Sequence, residues 1–488
     1  MFKKKKINSK TKNNIFIHII GTFSIFLVFA IAFYTFKNIG NFDFGNNKTG
    51  VDTNASFDFS SFFAGLRGLT SDTIEVDNTE VKNPDDDKIN ILLIGKGGVG
   101  HEAPDLTDTL ILASINKTYN TVSMLSIPRD LYVSYGNSSE GKINQIYALE
   151  KSRTGDNQKG VRTLEDTISK ITGETIDYYI AIDFKGFEEF IDAIGGVEIN
   201  VPKTLVDNQF PDGNWGYRTL IIKKGTWLFD GETALKYARS RHSTSDFDRS
   251  LRQQQIIASI KDKLASGGFL SKLSKVKKFY EIFQKYVETD LGLVEIIDLY
   301  NEIGDYSKYE ILSFNLNDSC FYGDPMCQKG GFLYVPEREL FGGASVLLPS
   351  GAYKGDISNY DALSKFMDLI FNKPNLYLEN TQINIFNATK LRGVAGDIAM
   401  ELKRYGFNIP EKDSIGNARD KTYTGSIIYY SSDVEKTDTL LYLKNILGLE
   451  SESRQQTLPL YSPDENTKLE IIVGEDYDKV LENLRNNL

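Results

Sequence analysis

Apolar residues fall into distinct patterns along the chain. The first is unbroken: Ile15 to Phe36 is 22 residues without Asp, Glu, Lys or Arg, enough for a helix to cross a hydrocarbon core about 30 Å thick. From 37 to 88 the pattern dissolves into Asn, Asp, Ser, Thr and Gly, as in a spacer. Its exception is the aromatic FDFSSFFAGLRGL at 57–69, expected to dock on the domain. Globular patterning starts at Ile89. INILLIG (89–95) is a continuous apolar run ending in glycine, the mark of a strand buried on both faces. TLILASIN (109–116) and TVSMLSIP (121–128) flank a turn-prone Lys117–Asn120 and predict an antiparallel hairpin. DYYIAIDF (177–184), a helical FKGFEEFIDAIGG and VEINVP (197–202) predict a strand–helix–strand unit, with further helices at 231–238, 246–265, 273–287 and 292–303. This alternation predicts a layered α/β domain over 89–350. A smaller α/β unit over 380–475 follows: strand INIFN (383–387), helix DIAMELKRYG, strand SIIYY (426–430), a helix at 435–448 and strand LEIIVG (469–474).

Charge orients the first stretch. Lys3, Lys4, Lys5, Lys6, Lys10 and Lys12 precede it, and only Lys37 and Lys48 lie close behind it. The positive-inside bias therefore puts residues 1–14 in the cytoplasm, makes 15–36 a transmembrane helix and displays the rest outside. The expectation is a single-pass protein of the cell membrane working against a lipid bilayer. A cleaved signal peptide is the rival, since Ala30-Ile31-Ala32 resembles a cleavage site, but the apolar run continues past it to Phe36. A net charge of −10 argues against a nucleic-acid partner. Three histidines, one of them within the apolar run, leave too few for a multi-histidine zinc centre. The only cysteines, Cys320 and Cys327, bound the eight-residue segment CFYGDPMC, and outside the cytoplasm they are expected to pair.

Polar chemistry concentrates in three places. KYARSRHSTSDFDRSLRQQQ (236–255) sets Lys236, Arg239, Arg241, Arg249 and Arg252 against Asp246 and Asp248. Arg239 and Arg241 share a face if extended, and Arg249, Arg252 and Gln253 share one on a helix. Guanidinium forks grip phosphate oxygens bidentately, although a solvated, ion-paired helix start produces the same composition. LIGKGGVGHEAPDLTDT (93–109) is a glycine-rich loop carrying Asp105 and Asp108, carboxylates suited to Mg²⁺. It lacks the GxxxxGK[ST] spacing of a phosphate loop. SIPRD (126–130) places Arg129 and Asp130 just beyond a strand. Arginines with a few carboxylates, and no Ser–His–Asp set, suit the stabilisation of phosphoryl charge.

The ordered set ILLIG, LTDTLILASIN, VSMLSIPRDLYV, KIN, IDYYIAIDFKGFEEFIDAIGGVEINVP, LFDGETALKYARSRH and DFDRSLRQQQ resembles the LytR-CpsA-Psr family of cell-wall glycopolymer ligases. The likeness is close over 89–265 and looser to 350. INIFNATKLRGVAG, LKRYGFNI and IIVGEDYD resemble the LytR C-terminal domain. The resemblance implies a phosphotransferase that takes a glycan from a polyprenyl-pyrophosphate carrier and joins it to peptidoglycan through a phosphodiester, assisted by Mg²⁺. It implies that Arg129, Arg239, Arg241, Arg249 and Gln253 hold the pyrophosphate and that Asp108 lies by the metal. Asp130 would orient Arg129 or help remove the acceptor's proton. The family commonly has a second aspartate where this chain has Lys96. Lysine cannot ligate Mg²⁺ but can neutralise a phosphate, and Asp105, Glu102 and His101 are the candidates to replace the lost ligand. Two alternatives stand: a hydrolase using the same arginines with water as acceptor, and a non-catalytic surface protein that binds lipid-linked glycan.

Overall fold

The structure, a computed structural model, describes residues 87–212, 216–240, 246–265, 281–282, 285–292, 295, 298–299, 302–303, 308–320, 331–410, 414–418, 423–453 and 468–488. The expected span at 15–36 and nearly all of the spacer lie outside these residues, as do Arg241, Cys327, most of 273–287 and half of 292–303. No described helix is long and apolar enough to cross a membrane.

In chain order the first elements are β1 (Lys88–Lys96), β2 (Thr107–Asn116), β3 (Thr121–Ser126), β4 (Tyr132–Tyr135), β5 (Ser139–Lys142), α1 (Ile146–Thr154), α2 (Asn157–Thr172), β6 (Tyr178–Asp183) and α3 (Phe184–Ile194). There follow β7 (Val197–Val201), β8 (Leu205–Pro211), β9 (Tyr217–Ile222), β10 (Gly225–Phe229), α4 (Gly231–Arg239), α5 (Asp246–Ala265), β11 (Val287–Thr289) and β12 (Glu310–Asn315). The remainder comprises β13 (Leu333–Tyr334), β14 (Leu348–Pro349), α6 (Asp361–Asn372), α7 (Asn375–Leu378), β15 (Ile383–Asn387), α8 (Val394–Arg404), β16 (Ile415–Asn417), β17 (Ile427–Tyr430), α9 (Asp438–Leu447), β18 (Ser451–Ser453), β19 (Leu469–Val473) and α10 (Tyr477–Asn487). The chain is mixed α/β, in two compact units: residues up to Asp108 with Ile176–Ile311, and Thr109–Thr175 with Leu312–Leu488.

In the first unit β1 runs parallel to β6, from Ile91 opposite Tyr178 to Lys96 opposite Asp183, and β11 adds antiparallel to β6. Ile89, Ile91 and Leu92 are fully buried, as an unbroken apolar strand predicts. Asp183 ends β6 and starts α3, its Oδ1 accepting from Gly186 N at 2.7 Å. All three elements of the expected strand–helix–strand unit are present, and β7 pairs antiparallel with β10 in a separate two-stranded ribbon. The core of this unit gathers Phe190, Ile191 and Ile194 of α3, Val197, Ile199 and Val201 of β7, Ala234 and Tyr237 of α4, and Ile256 and Ile260 of α5. Each Val, Ile or Phe among them contributes roughly 1.5–3 kcal/mol on burial.

In the second unit β2 and β3 form the expected hairpin, Ile111 opposite Ser126 through Asn116 opposite Thr121, with Asn120 at a positive φ of 52° closing the turn. Asn116 Nδ2 donates to Phe371 O at 3.1 Å and Ser123 Oγ to Ile370 O at 2.6 Å, tying this hairpin to the end of α6. The C-terminal sheet has the order β16-β15-β19-β17-β18. β15 is parallel to both neighbours and β17 antiparallel to β19. Three expected strands and two expected helices are present, with β16 and β18 added at the edges.

Candidate functional site

The arginine-rich segment is built on a close helix contact. Asp230 caps α4, accepting from Thr233 N at 2.8 Å, and Asp192 at the end of α3 accepts from Gly231 N at 2.7 Å. A Cβ on Gly231 would stand 2.1 Å from Glu188 O, so only glycine lets α4 approach α3 this closely. At its other end α4 stops at Arg239, and the chain turns away at Ser240, whose buried Oγ donates to Asp207 Oδ2 at 2.8 Å. The open carbonyls there are met from α5. Arg252 Nε donates to Tyr237 O at 2.9 Å and its Nη2 to Ser240 O, and Gln253 Nε2 approaches Ala238 O at 3.4 Å. Burial pushes the Arg252 guanidinium below its ordinary value, with Tyr237, Asp248 and Asp207 opposing. Arg252 thus braces the turn that presents Arg239. Gln253, which the resemblance assigns to pyrophosphate, leans on the same turn. Arg249, one helical turn earlier on α5, is 6% exposed.

Arg239 is the most distinctive charge in this unit. It is half-buried, with Cζ 4.5 Å from the Phe184 ring centroid and 5.9 Å from that of Phe210. Burial lowers its guanidinium's proton affinity, while Asp108 and Glu188 act in the opposite sense. No carboxylate among the described residues comes within the 4.0 Å of an ion pair with it. Its Nη2 lies 3.3 Å from His101 Nε2.

His101 belongs to the glycine-rich loop after β1. That loop closes on itself through Gly98 N to Pro104 O at 2.8 Å and His101 N to Gly98 O at 3.1 Å. Gly98, at φ 80°, passes so close to Asp183 that a Cβ would sit 2.5 Å from the Asp183 Cβ. The loop leads into β2, not into a helix, so it lacks the helix N-terminus of a phosphate loop. At the end of β1, Lys96 is 6% exposed and its Nζ bonds Glu288 Oε1 of β11 at 2.7 Å. The expected direct role of Lys96 on phosphate therefore competes with an existing ion pair.

Asp105 and Asp108 are both half-buried. Among the described residues no group of three or more His, Cys, Asp or Glu side chains could hold a metal ion. Mg²⁺ commonly takes one or two carboxylates and completes its shell with substrate phosphates and water. Asp108, in the field of Arg239, fits that description as a single carboxylate.

In the second unit the IPRD turn is closed by Leu131 N to Pro128 O at 3.1 Å. Asp130 receives Lys142 Nζ on Oδ1 at 2.6 Å and Arg129 Nε on Oδ2 at 3.5 Å. Both carboxylate oxygens thus face cations, Lys142 at hydrogen-bond distance and Arg129 as a longer charge pair. Lys142 was not singled out in sequence, although the KIN triplet contains it. Cys320 is buried and disulfide-bonded. A cavity of about 310 Å³ in this unit is lined by Phe332, Ser350, Tyr360 and Arg404, among others. Arg404 is already bonded to Gly331 O at 2.9 Å and Ser350 Oγ at 2.9 Å, a structural engagement.

The chain matches the LytR_cpsA_psr family over residues 67–337 and the LytR cell envelope-related transcriptional attenuator over 380–477. It is 28% identical over 312 residues to the polyisoprenyl-teichoic acid–peptidoglycan teichoic acid transferase TagV of Bacillus subtilis, covering 62% of this chain and 72% of that one. It is 30% identical over 263 residues to the transferase TagU of Bacillus cereus, covering 53% and 77%. The crystal structure of B. subtilis TagV aligns with 59% of this chain and 98% of its own, at 25% identity and a TM-score of 0.41. By the extent of the first match, this chain belongs to the LytR_cpsA_psr family.

Proposed function

We propose that this protein is a transferase that moves a glycopolymer from a polyprenyl-pyrophosphate carrier onto peptidoglycan, leaving a phosphodiester between them. The relatives named as teichoic acid transferases support the reaction class. The observation on this chain that carries the reading is Arg239: a half-buried guanidinium held over an aromatic ring, without a carboxylate at ion-pair distance among the described residues. A cation so placed favours a multiply charged anion.

In the reaction, a sugar hydroxyl of peptidoglycan attacks the glycan-bearing phosphorus. The new P–O bond forms, the bridging P–O bond breaks, polyprenyl monophosphate leaves and one proton is released. Charge gathers on the leaving phosphate, where Arg239 and Arg249 are assigned to stabilise it. Arg129, oriented by Asp130, and Arg241 and Gln253 are assigned to the pyrophosphate by the resemblance. Mg²⁺, when bound, would supply further neutralisation and would be held by Asp108, with Asp105 as a second candidate. The N-terminal segment is assigned to anchor the protein in the cell membrane beside its lipid substrate, N-terminus in the cytoplasm.

Lipid analysis tests this reading. Full-length protein given polyprenyl-pyrophosphate-linked glycan should release polyprenyl monophosphate at a rate that depends on added peptidoglycan. Release at the same rate without acceptor would make the protein a hydrolase, and no release with either would leave only a binding role.

A further inference from the structure

The imidazole of His101 carries a hydrogen-bonding conflict. Ala103 N–H donates to Nδ1 at 3.3 Å, so in the neutral ring the proton resides on Nε2. Nε2 faces Arg239 Nη2 at 3.3 Å, and a guanidinium is a donor only. Two N–H groups are thereby aimed into the same space. The ring has little freedom to relieve this. Phe184 meets it edge-on, with centroids 5.2 Å apart, and Gly97 passes so close that a Cβ there would lie 2.7 Å from Nδ1. The same Phe184 ring lies under Arg239. One aromatic side chain therefore sets both donors. An oxygen that accepts from both removes the conflict, and a phosphate oxygen is such an acceptor.

We propose that His101 is a further substrate-binding residue, its Nε2–H sharing a pyrophosphate oxygen with Arg239. This rests on the function proposed above and adds to it a neutral donor beside the arginine. A neutral donor fits a site in which Asp108 and Glu188 already act on Arg239: it binds an anion without adding repulsion between cations. The contrary arrangement has the proton on Nδ1, Nε2 accepting from Arg239, and His101 serving only to prop the guanidinium.

The test is calorimetric titration of inorganic pyrophosphate into full-length protein in detergent at neutral pH. It compares wild type, His101→Ala, His101→Gln, Arg239→Ala and the His101→Ala/Arg239→Ala double variant. A direct contact predicts about a tenfold loss of affinity for His101→Ala and partial recovery in His101→Gln, whose amide keeps a donor. It also predicts that His101→Ala still weakens binding when Arg239 is already Ala. Unchanged affinity in His101→Ala overturns the proposal, as does an effect that vanishes in the Arg239→Ala background. Wild type that fails to bind pyrophosphate removes the proposed function as well. Should His101→Ala fail to fold, ¹⁵N-histidine spectra of the wild type decide: the His101 Nε2 resonance must shift on adding pyrophosphate, and a stationary resonance refutes the contact.

Discussion

Arg239 and Lys96 are both cations held close to the protein interior, yet their surroundings give them opposite roles. Lys96 has Glu288 at 2.7 Å, whereas Arg239 has aromatic rings and an imidazole. A charge-assisted contact to a phosphate is worth roughly 1.5–3 kcal/mol, so Arg239→Ala should slow glycan transfer about ten- to a hundredfold. Arg239→Lys keeps the charge but loses the planar fork and should recover only part of that loss. For Lys96 the prediction concerns stability. Glu288→Gln removes the carboxylate charge that faces a buried ammonium and should cost about 1–3 kcal/mol in urea unfolding. Lys96→Met should cost less, because the Glu288 side chain is 38% exposed and can turn to water. Equal losses would mean that the ion pair is not what holds Lys96. Arg239 and Arg249 were legible in sequence because residue type and local spacing mark them. Glu288 was not, being 192 residues from its partner and brought there by strand pairing. The orientation of His101 toward Arg239, 138 residues away, was equally invisible.

At the scale of elements, the site depends on how α4 is seated. Gly231→Ala would drive a Cβ into the Glu188 carbonyl. It should cost at least about 1–3 kcal/mol and lower transfer as well, since Arg239 is the last residue of that helix. Asp230→Ala should cost about 1 kcal/mol near neutral pH. The Thr233 hydrogen bonds hold the Asp230 carboxyl below its ordinary 3.8, so this contribution is present above that value and is lost as the pH falls through the lower folded value. Unfolding free energies of wild type and variant should therefore converge in strong acid, and a constant gap would contradict the capping role. The element pattern was readable wherever burial was one-sided or complete. β1 announced itself by an unbroken apolar run and the β2–β3 hairpin by its turn. The strand–helix–strand unit was readable as elements, but the pairing partner of β7 was not. VEINV alternates buried and exposed residues, which marks a strand with one open face, and it pairs with β10 instead of joining β6. β16 and β18, three residues each and largely exposed, carry too little apolar pattern to be seen.

At the scale of the whole molecule, the sequence located both family matches but not the compact units. The second unit takes in Thr109–Thr175 along with the C-terminal region, partly through bonds such as Ser123 Oγ to Ile370 O across 247 positions. No local composition reports such bonds. The Cys320 disulfide lies in a cluster with Tyr334, Leu348 and Ile357. If its partner is the chain's only other cysteine, Cys327, the closed loop is short, and reduction should lower stability by about 2 kcal/mol at most. A larger loss on reduction would point to a constraint beyond loop closure. Group transfer to the wall polymer is the activity to be measured. The most direct measurement is mass spectrometry of a muramidase digest after full-length protein has acted on polyprenyl-pyrophosphate-linked glycan with peptidoglycan. A transferase yields muropeptides carrying the glycan through a phosphodiester, depleted about ten- to a hundredfold with Arg239→Ala. Unmodified muropeptides beside free glycan phosphate, or full modification by a folded Arg239→Ala protein, would contradict the proposed function.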